Sequence, residues 1–332
     1  MIAGIVKEAI ISGVHILLVF LVFLFVYFAW KLVILFGDWL IWKHASAQTK
    51  VKALVKSLFN FILFFIVALS VLVFTIGWVN TNTNKTHLVQ NNDYLMSVDK
   101  TIFDVYAPFW MQSLNNPLKP VFDFLSPWLV GTYSGLGVVL GIVFIIVLIS
   151  NQKKFYQMFL ALVLCGLFSL PFWYYFPALT PKEAYWANNS LLTQAPSDIK
   201  NVLTEYKPND NLLDFLGQTN NDNKPVDLNS YIITTIPSMH VAWATLAVYF
   251  GIEVSRWLLL ILGPYFILNF LATIFTLQHY AVDSFTGVLV AIVAILVAKL
   301  VIKSKKQSEL NISAFIKDDI NIFVKIIINL FK

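Results

Sequence analysis

Residues 257–278 read WLLLILGPYFILNFLATIFTLQ, and this run without a single charge decides the fold. As an α-helix it is long enough to cross the roughly 30 Å hydrocarbon core of a bilayer. Six further apolar stretches accompany it: Ile10 to Phe36, Ser57 to Val79, Trp128 to Ser150, Phe155 to Pro177, Ile232 to Ile252 and Tyr280 to Ala298. Across the 332 residues 58% are hydrophobic and 12% charged, and the mean hydropathy is +0.75. That composition excludes a water-soluble domain, a disordered chain and a coiled coil. Cys165 is the single cysteine and lies inside an apolar run, where it is a small hydrophobe and excludes a disulfide scaffold. The expected fold is all-α, a polytopic membrane helix bundle of about seven transmembrane helices.

Charge sets the expected orientation. Lys43, His44, Lys50, Lys52 and Lys56 lie between the first two stretches, Lys153 and Lys154 between the third and fourth, and Arg256 between the fifth and sixth; Lys303, Lys305 and Lys306 follow the seventh. The positive-inside rule makes those connections cytoplasmic. The long polar segments 80–127 and 178–231 then share the outer side, and the N-terminus lies there too. The net charge of +5 is accounted for by this pattern, so no nucleic-acid partner is expected. The domains read as 1–56, an N-terminal span and cytoplasmic loop; 57–302, a membrane-embedded catalytic bundle with the two outer loops; and 303–332, a cytoplasmic basic tail.

Met1 to Trp42 exceeds one perpendicular span, which suits a tilted helix or one that begins along the interface. It lacks the flanking charge and small-residue cleavage pattern of a signal peptide. Thr101 to Leu125 mixes Phe103, Tyr106, Phe109 and Trp110 with Pro108, Pro117 and Pro120, the pattern of a broken interfacial helix or of a plain connecting loop. In the tail, Ile312, Phe315, Ile316, Phe323, Ile326, Ile327 and Leu330 recur at helical spacing, which predicts an amphipathic helix lying on the membrane or docked on a protein. No internal repeat is present.

Ionisable groups inside spans are costly and are functional suspects by default. Lys31 is explained by snorkelling and His15 by a satisfied buried imidazole, while His44 and His87 fall in loops. His240 and His279 differ. His240 closes Ile236-Pro237-Ser238-Met239-His240 at the outer end of the fifth span, and His279 and Asp283 stand i, i+4 at the outer end of the seventh. From His240 to His279 the chain runs 39 residues, roughly 58 Å as helix, close to one crossing and its return. Both histidines therefore reach one surface. A carboxylate that accepts from one imidazole nitrogen raises the nucleophilicity of the other, and a second imidazole supplies a proton to a leaving oxygen. This is the chemistry of a phosphohistidine intermediate. Pro237 and Ser238 suit a helix start whose first amides bind phosphate; taken singly, the same residues better suit a capped helix and a packing pair.

These residues resemble the type-2 phosphatidic acid phosphatase superfamily, whose Pro-Ser-Gly-His and His-x-x-x-Asp motifs stand here as Pro237-Ser238-Met239-His240 and His279 to Asp283. Val241-Ala242-Trp243-Ala244 and Ala272-Thr273 look more like its inositol-phosphotransferase branch, which includes inositol-phosphorylceramide synthases. The resemblance covers roughly residues 160–301. It implies a six-helix core, His279 as nucleophile, Asp283 as its orienting partner, and His240 as the acid that serves the leaving group and then the base for the acceptor. Ser238, Met239 and the neighbouring amides would bind phosphate. It also implies metal-free chemistry without a cofactor.

The departures from that family concern arginine. The phosphatase branch has a Lys-x6-Arg-Pro motif and an arginine six residues before the nucleophile, where this chain has Thr273; its one arginine, Arg256, falls on the cytoplasmic side. Lys182, in Tyr175-Phe176-Pro177-Ala178-Leu179-Thr180-Pro181-Lys182, is the candidate substitute, a point charge without bidentate geometry, or else an ordinary interfacial lysine. A phosphodiester needs less countercharge than a phosphomonoester dianion. The expected function is transfer of a phosphorylated lipid headgroup to a hydroxyl acceptor, with a membrane phospholipid or lipid phosphate as donor and a polyol or lipid hydroxyl as acceptor. Tyr185, Trp186, Asn188 and Asn189 in the outer loop are available to such a polyol. The alternative is a phosphatase acting on phosphatidic acid or a polyprenyl pyrophosphate. A transporter would place its polar groups near the midplane, often in repeated halves, and here they cluster at one end. The expected setting is a bacterial cytoplasmic membrane with the site on the outer side.

Overall fold

The computed structural model describes residues 87–185, 197–218 and 236–302, with a few helical positions between 70 and 83. The expected first span, nearly all of the second, the amphipathic tail, and Trp186, Asn188 and Asn189 lie outside the described residues. Helices follow one another as α1 (Leu88–Phe103), α2 (Ala107–Trp110), α3 (Lys119–Ser150), α4 (Gln152–Tyr175), α5 (Pro181–Tyr185), α6 (Ser197–Glu205), α7 (Asp210–Gln218), α8 (Met239–Val254), α9 (Leu259–Phe275) and α10 (Ala281–Val301). No strand occurs among the described residues. The 3-10 turn Arg256–Leu258 leads into α9.

The stretches 119–148, 153–175, 256–275 and 281–301 are long and apolar enough to cross a membrane, and α8 is a shorter apolar helix. The chain is an integral membrane protein. α8 sits at the middle of the bundle and packs against α3, α4, α9 and α10. In lipid, helices associate through close packing of small residues, because burial in another helix gains little over burial in acyl chains. α10 follows that rule: Ala281, Ser284, Gly287, Ala291, Ala294 and Ala298 recur every three or four residues and are all buried. Val138, Ile142, Leu260, Ile261, Leu289 and Leu296 are exposed on the outside of the bundle, where lipid chains cover them.

One end of the bundle carries the charges between α3 and α4 and after α8. There Glu253 of α8 pairs with Lys154 of α4 and Lys299 of α10, each at 3.3 Å. The candidate site lies at the opposite end. α8 has 16 residues, roughly 24 Å of rise, less than the core thickness. Its C-terminus lies at the charged end and its N-terminus at the other.

Several boundaries differ from those expected. α3 begins at Lys119, not Trp128, since Pro120 falls in its first turn and needs no hydrogen bond there; Pro127 is carried within the helix. α8 begins at Met239, not Ile232, because Ser238 caps it. The segments 80–127 and 178–231, read as loops, carry α1, α2 and α5 to α7. The prolines of 101–125 break that stretch into the end of α1, the single turn α2 and the start of α3.

Candidate active site

The N-terminus of α8 is built by Ser238, whose hydroxyl accepts from the Val241 amide at 3.4 Å. Its own amide donates to the carbonyl of Asp283 at 2.9 Å, which ties the start of α8 to the first turn of α10. That approach needs a glycine: a Cβ on Gly287 would stand 2.4 Å from the Ser238 carbonyl oxygen. Met239 and His240 occupy the first two helical positions, whose amides have no intrahelical acceptor and point at the space before the helix. The Met239 side chain turns away from that space, its sulfur accepting from the Ser169 hydroxyl of α4 at 3.3 Å.

His279 sits in the tight turn between α9 and α10. The Thr273 carbonyl accepts from both the Gln278 and His279 amides, at 3.2 and 3.0 Å, and Leu277 takes a left-handed φ of 58° to close the turn. Asp283, one helical turn on, places Oδ2 3.7 Å from His279 Nδ1. The same oxygen accepts from the Tyr280 amide at 3.1 Å, while Oδ1 has no hydrogen-bond partner among the described residues. The carboxylate is thus buried within an ion-pair distance of the imidazole. The His240 and His279 ring centroids are 6.3 Å apart with planes inclined by 54°.

Tyr133 of α3 stacks on the His240 ring at 4.2 Å, nearly parallel. Phe215 of α7 packs edge-on against Tyr133 at 5.7 Å. α7 is held on α3 by Asn209, which accepts from the Leu212 amide at 3.0 Å and donates to Asp123 at 2.9 Å. His240 therefore has its ring plane set by an aromatic relay from outside the bundle.

Lys182 is brought to the same end. Thr180 and Glu183 form a capping box, with the Glu183 amide donating to Thr180 Oγ1 at 3.1 Å and the Thr180 amide to Glu183 Oε2 at 3.0 Å. Pro181 starts the short helix they cap. The Lys182 amide donates to the carbonyl of Leu277 at 2.9 Å, so α5 docks on the turn that carries His279. The Lys182 side chain is buried, at 6% exposure.

A further acid lies here, on α1. Asp99 is fully buried, and its two carboxylate oxygens accept from the Ala281 and Val282 amides at 2.8 and 2.9 Å. Burial pushes its carboxyl up to about 7, against the pull of the two amides, and the nearby Asp283 adds to the rise. The same helix donates from Asn91 to the Pro177 carbonyl at 2.7 Å, accepts at Asn92 from the Leu179 amide at 2.9 Å, and accepts at Asp93 from the Tyr185 hydroxyl at 2.8 Å. α1 thus grips both the segment that carries Lys182 and the helix that carries Asp283.

All six residues expected from the sequence gather at one end of the bundle, where the Met239 side chain packs on Ser169 and its amide lies in the first turn of α8. Asp99, Tyr133 and Gly287 were not foreseen. Thr273, where an arginine would stand in the phosphatase pattern, is buried and shares a 2.9 Å hydrogen bond with Ser284, so that position serves helix packing. Arg256 lies at the far end of α9, a helix length of roughly 30 Å from the site. Among the described residues no group of three or more His, Cys, Asp or Glu is arranged to hold a metal ion.

A family model described as PAP2 superfamily matches residues 107–297, more than half of the chain. No curated protein and no solved structure matches it.

Proposed function

The chain belongs to the PAP2 superfamily, whose members are phosphatases and phosphotransferases acting on lipid phosphates, and from that premise we propose that it transfers a phosphorylated lipid headgroup to a hydroxyl acceptor through a phosphohistidine. The observation that carries the proposal is the facing pair of imidazoles, 6.3 Å apart, with a buried carboxylate behind one of them. Asp283 holds the Nδ1 proton of His279, so that Nε2 attacks phosphorus. The P–N bond forms as the P–O bond to the departing alcohol breaks, and the imidazolium of His240 gives that oxygen its proton. Neutral His240 then takes the proton of the acceptor hydroxyl, whose oxygen attacks phosphorus as the P–N bond breaks. The amides of Met239 and His240, with Ser238, hold the phosphate oxygens, and Lys182 supplies countercharge.

Transfer is favoured over hydrolysis by the charge of the site. Lys182 is a buried lysine on the short helix docked on the turn that carries His279, and Arg256, the one arginine of the sequence, lies at the opposite end, which suits a phosphodiester monoanion better than a phosphomonoester dianion. A bacterial cytoplasmic membrane with the site on the outer side remains the proposed setting.

Phosphorus NMR of the purified protein with a polar lipid extract, run beside His279→Ala, tests this. One phosphodiester replacing another without orthophosphate is the expected result and names the donor. Orthophosphate growing at a phosphomonoester's expense would establish the phosphatase alternative instead, and turnover retained in His279→Ala would remove the phosphohistidine.

A further inference from the structure

We propose that Asp99 is a positioning residue for the proposed histidine chemistry: by accepting from the Ala281 and Val282 amides it locks the first turn of α10, and with it Asp283, in the register that transfer requires. The inference rests on the proposed function and reaches outside the family match, which begins at residue 107, after α1 has ended.

Three observations carry it. First, both oxygens of a fully buried carboxylate are committed to two adjacent amides at 2.8 and 2.9 Å, across a separation of more than 180 residues. Capping alone is achieved by an exposed serine or asparagine, without burying a charge. Second, these two amides are where an anion would otherwise bind. With Asp99 in place the N-terminus of α10 is filled by the protein's own charge, and the first turn of α8, beside His240, is left to receive phosphate. Third, Asn91, Asn92 and Asp93 on the same helix bond to Pro177, Leu179 and Tyr185. One helix thereby joins the segment that carries Lys182, the proposed countercharge, to the helix that carries Asp283, the proposed partner of His279.

The test is the initial rate of phosphodiester exchange against the mole fraction of polar lipid extract in detergent micelles. It is made at pH 8, where Asp99 is ionised beside the Tyr280 hydroxyl and the Asp283 carboxyl. Asp99→Asn keeps the shape and one acceptor oxygen; Asp99→Ala keeps neither. Misplacement by a fraction of an ångström predicts a kcat per folded monomer lower by about tenfold for Asn and about a hundredfold for Ala, with the half-saturating mole fraction within about twofold of wild type. A residue that only stabilises the fold would lower the melting temperature and the folded yield while kcat per folded monomer stayed at the wild-type value, and that result overturns the inference. A loss confined to half-saturation does so as well. His279→Ala is assayed in parallel: if it is inactive while Asp99→Asn turns over normally, the positioning role alone fails, whereas an active His279→Ala removes the function on which it rests.

Discussion

In the proposed reaction His279 is the nucleophile, Asp283 orients it and His240 serves as acid and base, and the expected losses follow from those roles. Removal of the nucleophile in His279→Ala is expected to abolish turnover with the fold retained. His240→Ala and Asp283→Asn are expected to lower kcat by about 10²- to 10⁴-fold, the usual worth of a positioned acid or base. Lys182→Ala, which removes a point charge from the phosphate, is expected to raise KM more than it lowers kcat. Steady-state rates on the lipid extract check all four, and a kcat loss in Lys182→Ala larger than its KM change would reassign that lysine to the transition state. The motif residues were legible because their spacing is local: His279 and Asp283 stand one helical turn apart, and Ser238 stands two positions before His240. Asp99 was not, since its partners Ala281 and Val282 lie far along the chain and an aspartate in the polar run 82–100 carries no signal of its own. Tyr133 was equally hidden within an apolar span, where an aromatic ring reads as membrane filling.

At the scale of elements, the site depends on how closely α8 and α10 approach. Gly287 stands under the Ser238 carbonyl oxygen, 2.4 Å from where a Cβ would lie. Gly287→Ala must push the start of α8 away, and overpacking of this kind costs about 1–3 kcal/mol. The variant is expected to melt lower and to lose activity out of proportion to its folded fraction; normal activity per folded monomer would show that the first turn of α8 tolerates displacement. The spans 128–150, 155–177, 257–278 and 280–298 were legible to within a few residues, except at the start of α3, because twenty apolar residues have few alternatives in a bilayer. The helices of 80–127 and 178–231 were not, since their stability comes from packing across the bundle end. α7 shows this: its hold on α3 runs through Asn209, Asp123, Ser126 and Gln112, a network assembled from three separated parts of the chain.

At the scale of the whole molecule, α1 and the α5 to α7 segment form a polar storey on the apolar bundle, and the site lies between the two. The storey has a pH signature through Asp99. Its carboxyl is raised from 3.8 to about 7 in the folded protein, so the folded state binds the proton more tightly than the unfolded state. Stability from this group is therefore full below pH 4 and is lost as pH rises through 7, by an amount on the order of a few kcal/mol. Melting temperatures in detergent are expected to fall across that window in the wild type and to fall less in Asp99→Asn; parallel curves would place the titration elsewhere. The overall class, an all-α membrane bundle with polar chemistry at one end, was legible from hydropathy and from the position of two histidines. The start of α8 was not, because Ser238 caps the helix there and leaves it 16 residues where the apolar run suggested 21.

The phosphohistidine is tested by quenching the purified protein during turnover of a polar lipid extract at neutral pH and mapping the covalent adduct by peptide mass spectrometry. A phosphoryl-containing adduct is expected on His279, absent from His279→Ala and accumulating in His240→Ala if the second half-reaction is slowed more than the first. An adduct on another residue, or sustained turnover by His279→Ala, would contradict the phosphohistidine.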